Sequence, residues 1–158
     1  MKKRSSKRQA KNIVVVCHNI RSAGNVGAIF RTADAVGVTK IILGGYSAQP
    51  PHPKLLKVSL GAEKTIPYKR VWPTWRAIEK LKQDGYQVVA LEKTKKAGNL
   101  FNFKPRYPLA LVVGNEVGGL SKAIRRRCHN TVFIPMRGQK ESLNVAVAFG
   151  VAVYQLAK

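Results

Sequence analysis

Five short aliphatic runs, separated by glycine-bearing turns and stretches of helical periodicity, constrain this chain more than any other feature. They are Ile13–Cys17, Lys40–Leu43, Gln87–Leu91, Leu109–Val113 and Thr131–Ile134. Runs this apolar, with little alternation, read as strands covered on both faces. Between them, Ile29, Ala33 and Val36 recur at helical spacing before Gly37. Pro73 opens a second helical stretch with Trp75, Ile78 and Leu81 as its inward stripe, and Gly85 closes it. Ser121 can cap a short helix ending in Arg125, Arg126 and Arg127. Strand–helix alternation of this kind predicts an α/β fold, a mostly parallel sheet flanked by helices, with ligands at the carboxyl ends of the strands.

Two segments depart from the pattern. Residues 46–67 carry Pro50, Pro51, Pro53 and Pro67 and read as a long irregular connection with one helical turn around Lys54–Leu60. Loops of that length inside a compact domain are usually functional. Leu143–Leu156 reads as a helix apolar on nearly every side, too short to span a membrane. Such a helix must be buried in its own core or against another subunit. A chain of 158 residues has little room to surround it, so a homodimer through this helix is expected.

Charge narrows the partners. Twenty-nine Lys and Arg against seven Asp and Glu give a net charge of +22. That field favours polyanions, and nucleic acid ahead of an anionic membrane, because no long amphipathic basic helix is evident. Residues 1–11 read as a basic disordered arm ahead of a single domain over 12–158. The apolar run Ile13–Cys17 is shorter than a signal peptide requires. Cys17 and Cys128 are each followed by a histidine, and neighbours on a strand point to opposite faces, so no metal site is expected. Reduced thiols and no membrane span fit a cytoplasmic protein.

Three strand-end loops carry the chemistry. The first holds Asn25 between Gly24 and Gly27, with Arg31 one turn further on, but lacks the glycine order of a dinucleotide fingerprint. Arg31 could hold a phosphate; alone it reads more readily as a solvated helix charge. The second, Gly114–Ser121, places Glu116 among glycines, where a carboxylate suits a cationic or hydrogen-donating ligand and excludes a P-loop. Its ordinary reading is a first-turn dipole partner. The third runs from Ile134 through Gly138 to Ser142 and Asn144, which could be no more than helix caps. In a parallel sheet all three loops can converge on one edge.

Taken in order, Asn25–Ala33, Leu111–Ser121 and Ile134–Ala148 resemble the three motifs of TrmH-like SPOUT RNA methyltransferases, with Ser59–Glu63 and Ala90–Glu92 fitting between them. The likeness runs from about residue 12 to the end. It implies a C-terminal trefoil knot, which the general prior against knotted chains would never suggest. It also implies a homodimer, and methyl transfer from S-adenosyl-L-methionine to a ribose 2′-hydroxyl of tRNA or rRNA. By position it implies that Leu91, Gly114, Ile134 and Leu143 line the cofactor pocket. Arg31 would be the key catalytic residue, with Asn25 beside it and Glu116, Ser142 and Asn144 completing the site. Larger relatives carry more ahead of this domain, so the cations expected on RNA are the domain's own: Arg21, Lys93, Lys95, Lys96, Arg125, Arg126 and Arg127. The rival readings are a non-catalytic RNA-binding protein that retains the fold and a SPOUT enzyme that methylates a base.

Overall fold

The computed structural model describes residues 10–158. The basic arm expected over residues 1–11 therefore lies, except for Ala10 and Lys11, outside the described residues. Lys11 is already anchored: its ammonium lies 4.8 Å from the Tyr107 ring centroid and donates to the carbonyl of Lys158.

Seven strands form one sheet: β1 (Ile13–His18), β2 (Lys40–Gly44), β3 (Tyr68–Val71), β4 (Gln87–Leu91), β5 (Gly98–Asn99), β6 (Leu109–Val113) and β7 (Asn130–Phe133). Their spatial order is β3-β2-β1-β6-β4-β7-β5, and every pairing is parallel. Alternate residues of each central strand feed two separate cores. Val15, Cys17, Leu43, Leu111 and Val113 face α1 (Ala23–Val36), α2 (Pro53–Ser59) and α6 (Val145–Leu156). Val14, Val16, Ile42, Ala110 and Val112 face α4 (Thr74–Gln83) and α5 (Lys122–Arg127). The result is a three-layer α/β/α sandwich, as apolar runs without alternation require.

Local signals set most of the helix ends. Gly37, with φ 84°, closes α1 by donating to the carbonyls of Ala33 and Asp34. Ser121 caps α5 by accepting from Ile124, and Asn144 caps α6 by accepting from Ala146 and Val147, so α6 begins two residues later than its apolar run. The proline-rich connection contains α2 and a further single turn, α3 (Ala62–Thr65).

Two sequence expectations need correcting. Trp75 is not part of the inward stripe of α4; Thr74, Ala77, Ile78 and Leu81 fill that face, while Trp75 is 39% exposed under the Arg127 guanidinium. Strands β3 and β5, the two edges of the sheet, add to the five expected; β3 has three exposed residues and β5 is only two residues long. The described residues contain no helix long and apolar enough to cross a membrane.

Candidate active site

The carboxyl ends of β4, β6 and β7 open into a cleft of about 570 Å³. Leu91, Gly114, Ile134 and Leu143 all line it, together with Asn25, Glu116, Ser142 and Asn144. Residues up to 119 positions apart in sequence thus meet at one sheet edge, where parallel sheets deliver ligands.

A chain of hydrogen bonds joins the three loops. One oxygen of Glu116 accepts from the Ser22 backbone N–H and from the Asn25 amide, both at 3.2 Å. The Asn25 carbonyl oxygen in turn accepts from the Asn144 amide at 3.1 Å. Asn144 spends its own oxygen on the second and third N–H groups of α6, those of Ala146 and Val147. Glu116 therefore fixes the start of α1, where Ser22 is the N-cap, and Asn144 fixes the start of α6. Glutamate at 116 is compatible with glycines around it because its partners are donors, not phosphates.

The loop after β6 is shaped by its neighbours. Asn115 donates to the Asn19 carbonyl at 2.7 Å and accepts from the N–H groups of Val117 and Gly118. The Gly119 N–H returns to the Asn115 carbonyl at 2.9 Å. Gly119 has φ 61°, and a Cβ there would meet the Glu92 carboxylate at 2.2 Å. That carboxylate accepts from Leu120 N–H at 2.8 Å and from Lys93 N–H at 3.1 Å. Asn115 and Glu92 thus build the loop, one from each of two neighbouring strands. Asn115 carried no sequence signal beyond standing next to Glu116.

Electrostatics keep the nearby thiol inert. Burial pushes the Cys17 thiol up to about 12, and the negative Glu116 adds to the shift. Burial raises Cys128 to about 12 as well, with Lys82 pulling the other way. His18, at the end of β1, lies 2.8 Å from the Thr74 hydroxyl, and burial holds its pKa below the usual histidine value. No group of three or more potential metal ligands occurs among the described residues.

The predicted cations divide by position. Arg31 lies on α1, exposed, outside the cleft lining, with no ion pair or side-chain hydrogen bond among the described residues. Arg21, Lys93, Lys95 and Lys96 are exposed and follow β1 or β4, so they stand at the cleft's edge of the sheet. Arg125, Arg126 and Arg127 end α5 just before β7 begins, which puts them toward the opposite edge. Arg125 donates to the Leu120 carbonyl, and Arg127 pairs with Glu79 at 3.1 Å while covering Trp75; of the three, Arg126 is the exposed one.

Comparison with known proteins gives the same picture. The chain is 35% identical over 150 residues to a tRNA (guanosine(18)-2′-O)-methyltransferase of Aquifex aeolicus, covering 94% of this chain and 70% of that one. It is 32% identical over 148 residues to the 23S rRNA (guanosine-2′-O-)-methyltransferase RlmB of Vibrio parahaemolyticus, covering 92% and 59%. An AdoMet-bound rRNA methyltransferase from Sinorhizobium meliloti superposes with a TM-score of 0.87 at 31% identity, covering 94% of this chain and 56% of that chain. The chain spans 57% of the length of two further curated relatives. Residues 12–154 match the SpoU rRNA Methylase family, and with the fold and the cleft agreeing, the chain belongs to it.

Proposed function

We propose that residues 12–158 form a single methyltransferase domain that transfers a methyl group from S-adenosyl-L-methionine to a ribose 2′-hydroxyl of tRNA or rRNA. The observation that carries this reading is the meeting of Asn25, Glu116 and Asn144 on the rim of the cleft lined by Leu91, Gly114, Ile134 and Leu143.

The cleft's donor set fits this cofactor. Its volume lies in the range of small-molecule sites, and its walls include the apolar Leu91, Ile134 and Leu143. Glu92, Glu116 and Glu141 line it against one lysine, Lys93, which suits a cationic ligand and repels a phosphate-bearing one. When bound, S-adenosyl-L-methionine supplies an electrophilic methyl on sulfur. The chain's residues then orient and activate a weakly acidic hydroxyl, and positioning alone can remove a large share of the barrier. Asn25 and Asn144, cross-linked at the rim, set the shape of the hydroxyl's entrance. Ser142 adds a hydroxyl to the lining. Arg31 offers a forked set of N–H donors and no acceptor, so its role is to grip the substrate phosphate and stabilise the developing alkoxide.

The working unit is a homodimer through α6. Phe149, Ala152, Val153 and Leu156 bury one face of that helix, while Val147 and Tyr154, one turn either side of half-buried Val151, are 54% and 55% exposed. An apolar stripe of that kind marks an association surface. The protein acts in the cytoplasm, where tRNA and rRNA are made available to it. Calorimetry with S-adenosyl-L-methionine and mass mapping of ribose methylation in tRNA and rRNA test the reading together. Binding with 2′-O-methyl product supports it; no binding would turn the protein into a non-catalytic RNA binder, and base methylation would reassign the acceptor. Arg31→Ala is expected to lose methylation at saturating cofactor and RNA, and full activity in that variant would remove Arg31 from the site.

A further inference from the structure

Beside the cleft, at the carboxyl ends of β2 and β3, two large aromatic side chains stand in solvent. Tyr46 is 56% and Trp72 50% exposed. Their rings meet edge to face with centroids 4.4 Å apart. Each carries a guanidinium: Arg21 lies 5.3 Å from the Tyr46 centroid and Arg70 5.8 Å from that of Trp72. Backbone contacts hold the group in place, because Arg70 donates to the Gly45 carbonyl and Tyr46 N–H donates to the Asn19 side chain. Neither Arg21 nor Arg70 has a carboxylate partner among the described residues.

Trp75 differs in a specific way: that ring is also partly exposed and carries Arg127, paired with Glu79, and the unpaired Arg76 at 5.6 Å, but no second aromatic ring packs against it among the described residues. The Tyr46–Trp72 pair keeps two uncompensated cations against open aromatic surface. This is the combination that binds single-stranded nucleic acid, a π-face for a base and positive charge for its phosphates. Its position is continuous with the reaction site. Arg21 precedes Ser22, whose N–H is held by Glu116, and β2 and β3 stand two and three strands from β6, roughly 10–15 Å at ordinary strand spacing. A few nucleotides of extended strand cover that distance.

We infer that Tyr46 and Trp72, flanked by Arg21 and Arg70, form a stacking platform for an unpaired base of the RNA strand, a few nucleotides from the ribose presented to the cleft. The inference rests on the proposed RNA substrate. The favoured occupant is RNA and not a protein because both charges at the patch are positive and uncompensated, on a chain of net charge +22.

Trp72 provides its own probe. The chain has two tryptophans, so Trp75→Phe leaves Trp72 as the sole tryptophan, read by excitation at a wavelength the tyrosines do not absorb. A short oligouridylate is expected to quench that emission, whereas inorganic polyphosphate, charged but without bases, binds without quenching. Trp72→Ala and Tyr46→Ala are each expected to weaken oligouridylate binding about 5- to 150-fold. Trp72→Phe retains most of the affinity, and circular dichroism melts together with S-adenosyl-L-methionine affinity stay at the parent values. Equal quenching by polyphosphate, undiminished binding by Trp72→Ala, or a changed oligomeric state of that variant in sedimentation would overturn the platform, the last assigning the patch to a protein contact. Quenching without any methylation would sink the enzymatic reading and keep the platform; methylation without quenching would do the reverse.

Discussion

Replacing Gly114 by alanine tests how the cleft is shaped. A Cβ at this position would lie 2.6 Å from the Gly119 carbonyl carbon, 2.7 Å from its oxygen and 2.8 Å from a Leu120 methyl. Those distances are far inside the about 3.5–4.0 Å that carbon contacts prefer. Neither side can yield cheaply. On one side, β6 is buried and paired with both β1 and β4. On the other, Gly119 is held by Asn115 and Leu120 by Glu92. Overpacking of this sort costs about 1–3 kcal/mol, and the strain is relieved by pushing residues 115–120 outward, into the cleft's wall. If binding requires the parent loop, S-adenosyl-L-methionine affinity falls about 5- to 150-fold. Gly118→Ala is the matched control. Its Cβ would have a single neighbour, the Asn115 oxygen at 3.9 Å, so affinity and stability should stay within about 0.5 kcal/mol of the parent. Titration calorimetry and urea unfolding on both variants measure the two quantities separately. Parent-like binding by Gly114→Ala, or equal damage from Gly118→Ala, would refute the idea that close backbone contact shapes the site.

Other parts of the structure make their own predictions. Leu60 closes α2 in the left-handed region with φ 50° while 64% exposed; relief of that strain, less the entropy cost of glycine, should make Leu60→Gly about 0.5–1 kcal/mol more stable in urea unfolding. Cys17 and Cys128, both pushed up to about 12, should resist a thiol reagent at neutral pH in the folded protein and react together once it is unfolded. Neutralising Lys95 and Lys96 as glutamines should reduce the salt slope of single-stranded RNA binding by about 1.4, at roughly 0.7 per contact. Arg126→Gln, toward the other edge of the sheet, should leave that slope unchanged.

The parts of the fold that were legible in sequence are those where burial is two-sided. β1, β2, β4 and β6 are buried along nearly their whole length, so each wrote an unbroken apolar run. β3 escaped notice because an edge strand reading Tyr-Lys-Arg-Val exposes three of its four residues and carries no such run. Trp75 departs from the sequence expectation for a related reason. Trp75, Ile78 and Leu81 share a three-residue spacing that reads as one stripe, yet the buried face of α4 follows Thr74, Ala77, Ile78 and Leu81, and Trp75 falls beside that face. The motif residues of the cleft were legible as three loops, and their meeting was inferred from parallel topology. What no local pattern could supply was the partner of Glu116, because its two donors stand 94 and 91 residues away.

Glu116 also explains why three polar side chains at the cleft rim, two of them exposed, should be so closely tied. Hydrogen bonds among exposed groups add little net stability, so the chain from Glu116 through Asn25 to Asn144 is not there to hold the fold, which the two apolar cores already do. Its effect is positional. It locks the N-cap of α1 and the N-cap of α6 to the loop after β6, at a point where the backbone of that loop is also confined by Gly114 and Gly119. A small displacement of one loop must then move the other two, and the rim responds as a unit. For a reaction that depends on placing a hydroxyl in line with a transferable group, a rim of this kind removes the loop freedom that would otherwise have to be lost on binding.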